Sequence, residues 1–296
     1  MKKIFYFAAA MSIALFASCE KQGGNKGGND PETPKVTVAQ DALVLHLPFE
    51  DGSVAVGKGV TFAAKAGEAD FVDGFIGKCY TNKAADAATA AYAKYNLAAD
   101  NFVNDLKAFT FSAWLKRPAT GSGAFFSING GADAFWWTTM QFIFDNAITN
   151  EETGIVDQQF NGRFEHNGVA QWPNAQAPEF AAVDKWFHVV RTYDSVTSAW
   201  NVYVDGIKVE LPLNENGDPT NVITVDGELL GELNLANEAM NALYIGGWAS
   251  RIEEKQAEPW MSYFNGSIDE VRMYNRALTD TEVAELFRQE KLINLE

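Results

Sequence analysis

Trp186-Phe187-His188-Val189-Val190-Arg191-Thr192-Tyr193-Asp194, followed by Asn201-Val202-Tyr203-Val204-Asp205-Gly206-Ile207-Lys208-Val209, is the stretch that decides the fold. Both runs are rich in β-branched and aromatic residues, which fit a half-buried pleated surface. Asp205-Gly206 separates two short apolar runs, and a two-residue linker of that kind suits a type I′ turn because both residues tolerate positive φ. Long strands are therefore predicted over Lys185 to Asp194 and over Ala199 to Glu210, the second folding back on itself as a hairpin.

The same signature recurs on either side. Leu43, Leu45, Leu47 and Phe49 alternate with Val44, His46 and Pro48, a period of two. Phe109, Phe111, Ala113 and Leu115 alternate with Thr110, Ser112 and Lys116, with Trp114 on the polar side, and Met140, Phe142 and Phe144 repeat the pattern. Leu243 to Gly246 and Phe264 to Tyr274 supply the late strands. One helix is clear: Thr279-Asp280-Thr281-Glu282 reads as a capping box, and Val283, Leu286 and Phe287 then share a face. The fold class is all-β, a two-sheet antiparallel β-sandwich with one short C-terminal helix.

The N-terminal end is of a different kind. Lys2 and Lys3 precede an apolar run from Ile4 to Ala17, which as a helix reaches roughly 21 Å at about 1.5 Å per residue. A bilayer core is roughly 30 Å thick, so the run is expected to be a signal-peptide core rather than a span. Leu15-Phe16-Ala17-Ser18-Cys19 resembles the lipobox of bacterial lipoproteins, with Cys19 the lipidated residue; the alternative is an ordinary secretory signal cut near Ala17 or Ser18. Residues 19–40 are rich in Gly, Asn, Lys and Pro, as a flexible tether is. The expected organisation is thus signal 1–18, tether 19–40 and one domain over 41–296. By analogy with lipoprotein sorting, Glu20 after the lipidated cysteine implies the outer membrane of the cell envelope, with the surface or periplasmic face left open.

The formal charge of −16 excludes nucleic-acid binding by phosphate neutralisation, which needs basic patches. With Cys19 assigned to a lipid, Cys79 is the remaining thiol of the 2 cysteines, leaving no internal disulfide. It falls in an apolar segment and is expected to be buried and inert.

Several blocks in order resemble the laminin G-like jelly-roll domains of the concanavalin A-like lectin/glucanase group. They are Phe109 to Lys116, the Trp186 to Gly206 hairpin region, Leu243-Tyr244-Ile245-Gly246-Gly247, and Phe264-Asn265-Gly266-Ser267-Ile268-Asp269-Glu270-Val271-Arg272-Met273-Tyr274. The resemblance spans roughly Leu43 to Phe287 and is weakest over Thr120 to Pro178, which reads as long loops. Such domains serve as glycan binders, adhesion modules and enzyme appendages, so fold alone leaves function open.

Enzymes on related sandwiches carry Glu-x-Asp-x-Glu or Glu-x-Asp-x-x-Glu on one strand; neither spacing occurs here, nor does His-Glu-x-x-His or Gly-x-Ser-x-Gly. No catalysis is expected. In the last strand, Val271 and Met273 share one face and Glu270 and Arg272 the other; if the charged face is solvated, Asp269 has core parity. A buried carboxylate needs a cation or several hydrogen bonds. The resemblance implies a structural Ca²⁺ between first and last strands, with Glu50, Asp51 and Asp269 as ligands; the alternative is that Asp269 takes backbone N–H groups. Trp136, Trp137, Trp172, Trp248 and Trp260 fall in loop-like stretches and are the candidate ligand-binding residues, because sugar rings stack on exposed aromatic faces; the alternative for each is packing under a loop. Trp114 and Trp186 are expected in the core. The expected partner is a polysaccharide or host glycan, with membrane contact only through the lipid. A protein-binding adhesion or assembly module and a glycoside hydrolase with carboxylates from different strands are the rival readings.

Overall fold

The computed structural model describes residues 35–133, 136–213, 215–217, 220–235 and 237–295. Cys19, the signal and most of the tether lie outside them. The described residues belong to one compact unit.

Two antiparallel sheets face each other. The first runs, in spatial order, Ile207–Lys208, Trp200–Val204, Phe187–Tyr193, Phe109–Lys116, Ser267–Tyr274, Leu43–Leu47 and Val56–Gly57, with the hairpin Ala69–Asp73 and Lys78–Asn82 joined to the Ser267–Tyr274 strand. The second runs Val169–Gln171, Val156–His166, Thr138–Thr149, Gly123–Asn129, Ala242–Ile245, Ala91–Leu97 and Val60–Gly67. Asn174–Ala177 extends the Val169–Gln171 edge along the Val156–His166 strand. The inner faces meet in one apolar core, in which Phe111 and Phe142 sit 4.2 Å apart at their ring centroids. Asp205 (φ 50°) and Gly206 (φ 79°) form the type I′ turn.

Four sequence expectations are corrected. Thr120 to Pro178 is not loop but contains the middle and edge of the second sheet. In the first strand a register shift between Leu43 and Leu45 turns Val44 to the main core and Leu43 to a second cluster, as a β-bulge does. The charged face of the last strand is covered rather than solvated: Glu270 and Arg272 are buried beneath the helix Asp280–Asn294. The body also takes in residues assigned to the tether, since Val38 is buried in the cluster under that helix.

The capping box forms as read, and the helix docks Val283 and Leu286 on the first sheet's outer face. Glu290, one further turn along, is fully buried and ion-paired through Oε1 to Arg272 Nη1, while its Oε2 accepts from Trp114 Nε1 at 2.7 Å. Arg272 also pairs with Glu270, which contacts His46 Nε2 at 2.8 Å. Burial pushes Glu290 up to about 7 against the pull of Arg272. Burial also works against the charge of Glu270, but Arg272 and His46 outweigh it and hold that carboxyl low. Buried His188, beside Glu290, is pushed down to about 3 and is neutral at ordinary pH. Arg272→Met leaves two buried carboxylates without their cation, so it is expected to cost about 3–5 kcal/mol in urea unfolding; a loss below about 1 kcal/mol contradicts the latch.

Candidate functional site

The outer face of the second sheet carries the candidate site. On the Val156–His166 strand, Phe160 and Phe164 point into the core, so Asn161, Arg163 and Glu165 take the opposite face. All three are nonetheless buried: Trp136 and Trp172 lie over Arg163, and Glu165 accepts from the backbone of Ala132. Trp136 stands at the centre, with ring centroids 4.6 Å from Trp172, 6.0 Å from Trp248 and 5.8 Å from Trp260. Trp248 and Trp260 meet edge-on at 5.5 Å. Ala124, Ile143 and Met261 pack beneath them.

Each tryptophan has a distinct position. Trp172 sits where Pro173 interrupts the sheet edge between Val169–Gln171 and Asn174–Ala177; proline has no N–H for the ladder. Trp248 caps the one-turn helix Ala249–Ile252, is 1 % exposed and donates from Nε1 to Ser262 O at 2.7 Å. It is therefore the floor of the cluster. Trp172 (39 % exposed) and Trp260 (42 % exposed) present faces to solvent. Trp137 turns elsewhere: it lines a separate cavity with Glu165 and Asn237, with Lys255 Nζ 4.5 Å from its ring centroid. Trp114 is buried under the helix, stacked on Phe75, whereas Trp186 is half-buried.

Arg163 anchors the cluster from below. Its guanidinium carbon lies 5.4 Å from the Trp172 ring centroid and 5.9 Å from that of Trp136, within cation–π reach. Nη1 donates to Thr138 O at 2.5 Å and Nη2 to Glu165 Oε1 at 2.6 Å. Burial lowers its pKa, opposed by Glu165. Gln141 faces Arg163 and Ser127 across the neighbouring ladders. Its Oε1 and Nε2, the Asn161 Oδ1 and the Arg163 Nε are buried without a hydrogen-bond partner. Each such group costs about 1–3 kcal/mol. Sequence reading missed this polar row, since Thr120 to Pro178 reads as long loops.

The carboxylates nominated for calcium converge on a turn. Asp269 Oδ2 accepts from Phe75 N at 2.8 Å and Ile76 N at 2.9 Å, and its Oδ1 from Glu270 N at 2.8 Å. Glu50 Oε1 accepts from Lys78 N at 2.8 Å, so both side chains cap the Gly74–Lys78 connection, while Asp51 is exposed. A bulge, with Glu270 at φ 49°, carries Asp269 onto the helix-side face opposite Trp114. Burial pushes Asp269 up to about 9, with Glu270 adding to the rise. No group of three His, Cys, Asp or Glu set to hold a metal occurs among the described residues. In this arrangement both oxygens of Asp269 and Oε1 of Glu50 accept from backbone N–H groups. Cys79 is buried, with its thiol pushed up to about 12 by burial. Chelation separates the two readings: a melting temperature that falls in EDTA and returns with Ca²⁺ marks a bound ion, and an indifferent curve marks carboxylates that cap the turn.

The family model of the Concanavalin A-like lectin/glucanases superfamily matches residues 89–222. No curated protein matches the chain in sequence. Among solved structures, the receptor-binding domain of botulinum neurotoxin mosaic serotype C/D superposes with a TM-score of 0.52 at 10 % identity, over 84 % of this chain and 51 % of that one. The binding domain of botulinum neurotoxin DC, in complex with rat synaptotagmin II, gives 0.52 at 12 % identity, over 84 % and 52 %. The chain thus spans about half the length of these structures. What this chain has in common with them is the fold, a two-sheet jelly-roll sandwich.

Proposed function

We propose that this chain is a non-catalytic glycan-binding lipoprotein of the bacterial cell envelope, held to the outer membrane by a lipid on Cys19. The convergence of Trp136, Trp172, Trp248 and Trp260 on one sheet face carries the reading. Indole faces stack against the C–H faces of sugar rings, and a few placed polar groups then fix orientation. Trp172 and Trp260 supply exposed faces and Trp248 a fixed floor, while the Gln141 amide and Oδ1 of Asn161 are buried polar atoms without partners on the same face. No carboxylate pair is invoked, and binding proceeds without covalent chemistry. The complex of the neurotoxin binding domain with synaptotagmin II favours a second reading, in which this face takes a protein.

Affinity electrophoresis through gels containing laminarin, xylan, galactomannan or mucin tests the proposal. Trp172→Ala and Trp260→Ala are each expected to weaken retardation by about tenfold or more with melting temperatures near that of the parent, because both rings are half-exposed. Retardation unchanged in both variants contradicts it, and a protein captured through the same two residues without any glycan supports the second reading.

A further inference from the structure

Trp172 also borders a groove of about 600 Å³, which lies between the Asn174–Ala177 edge and a wall formed by Leu211, Pro212, Thr220 and residues 222–224. We infer that this groove extends the tryptophan site and takes the continuation of a linear, uncharged oligosaccharide that crosses Trp172 and runs along the sheet edge. The inference rests on the glycan reading above and adds to it a ligand shape and charge.

The edge strand is built for such a ligand. Among the described residues Asn174–Ala177 pairs on one side only, with Val156–His166, so the backbone groups of its free side are open to a ligand. Exposed Asn174 and Gln176 alternate with buried Ala175 and Ala177, which puts both amides on one face about 7 Å apart at roughly 3.4 Å per residue. An amide donates and accepts at once, as a sugar hydroxyl does. Thr220 and Thr224 offer hydroxyls from the opposite wall, and Trp200 also lines the groove.

Among the described residues, none lining the groove is charged, in contrast to the neighbouring groove, which Asp157, Glu179, Lys185 and Glu210 border. That selects a neutral chain. The walls are also held in place. Fully buried Arg191 donates from Nη1 to Pro173 O and from Nη2 to Phe160 O, both at 2.8 Å, and its guanidinium carbon lies 4.8 Å from the Trp200 ring centroid. One cation therefore ties the carbonyl beside Trp172 to the wall opposite. The volume falls within the ordinary range of ligand sites, about 300–1,000 Å³.

Calorimetric titration of the folded protein with cello-, xylo-, manno- and laminari-oligosaccharides of increasing length, from the disaccharide to the hexasaccharide, tests the groove. In the series that binds, the hexasaccharide is expected to bind at least about tenfold tighter than the disaccharide. The double variant Asn174→Ala, Gln176→Ala brings that ratio to within about twofold; both side chains are exposed, and a melting curve confirms that the variant is folded. Affinity that is flat with length, in a protein whose binding Trp172→Ala still abolishes, overturns the groove and leaves the tryptophan reading standing. Binding confined to oligogalacturonides overturns the neutral ligand. An extended peptide bound along the edge and lost in the double variant, in place of any oligosaccharide, overturns it in favour of strand addition. A wild-type protein that binds none of these sugars but is retarded by mucin overturns the groove alone, and one that binds no glycan, mucin included, overturns both readings.

Discussion

Phe111 of the first sheet and Phe142 of the second meet at the centre of a layer that also holds Phe109, Phe125, Phe126, Phe144, Phe160 and Phe164. Each ring buried this way is worth roughly 1.5–3 kcal/mol against exposure, and the layer forms only if every contributing strand keeps its register. A slip of one residue would send the rings of a strand to the opposite face. The inner layer therefore fixes what each sheet presents outward.

The two outward faces are then finished differently. On the first sheet the helix Asp280–Asn294 lies over Trp114, His188 and Arg272, and Glu290 supplies the carboxylate that Arg272 needs. Glu270, Arg272 and Glu290 are all buried, so the ion pairs there act as a latch whose value depends on keeping every partner. On the second sheet no long helix lies over the face among the described residues; tryptophans from separate loops gather there instead, with Trp136 and Trp172 over Arg163. Their cover is partial, because Trp172 and Trp260 keep one side in solvent. A face finished by partly exposed rings is suited to recognition, whereas one finished by a capped helix and interlocked charges is suited to stability.

The strands around the central hairpin were legible because their outward residues are polar and their inward residues apolar. Gly123–Asn129 was not, since a register shift between Ala124 and Phe126 breaks the period and every residue is buried. Val156–His166 hid its period for another reason: the side chains alternating with Phe160 and Phe164 are Asn161, Arg163 and Glu165, which read as loop chemistry until the tryptophans over them are seen. The helix showed its cap and the apolar face of Val283, Leu286 and Phe287, but nothing in its sequence marks Glu290 as buried. In the last strand, parity assigned Asp269 to the core, and the bulge at Glu270 moves it to the other face. The loop tryptophans could be nominated from their neighbours, yet nothing local shows that positions 136, 172, 248 and 260 converge while 137 turns away, because that depends on contacts between segments far apart in the chain.

The indole N–H groups of the 8 tryptophans give one resonance each in a nitrogen-labelled protein, and single Trp→Phe variants assign them. Titration with a polysaccharide that retards the protein is predicted to move the Trp136, Trp172 and Trp260 signals while leaving Trp114, under the helix, in place. Movement centred on Trp114 and Trp186, with the other three unchanged, would contradict the placement of recognition on the second sheet.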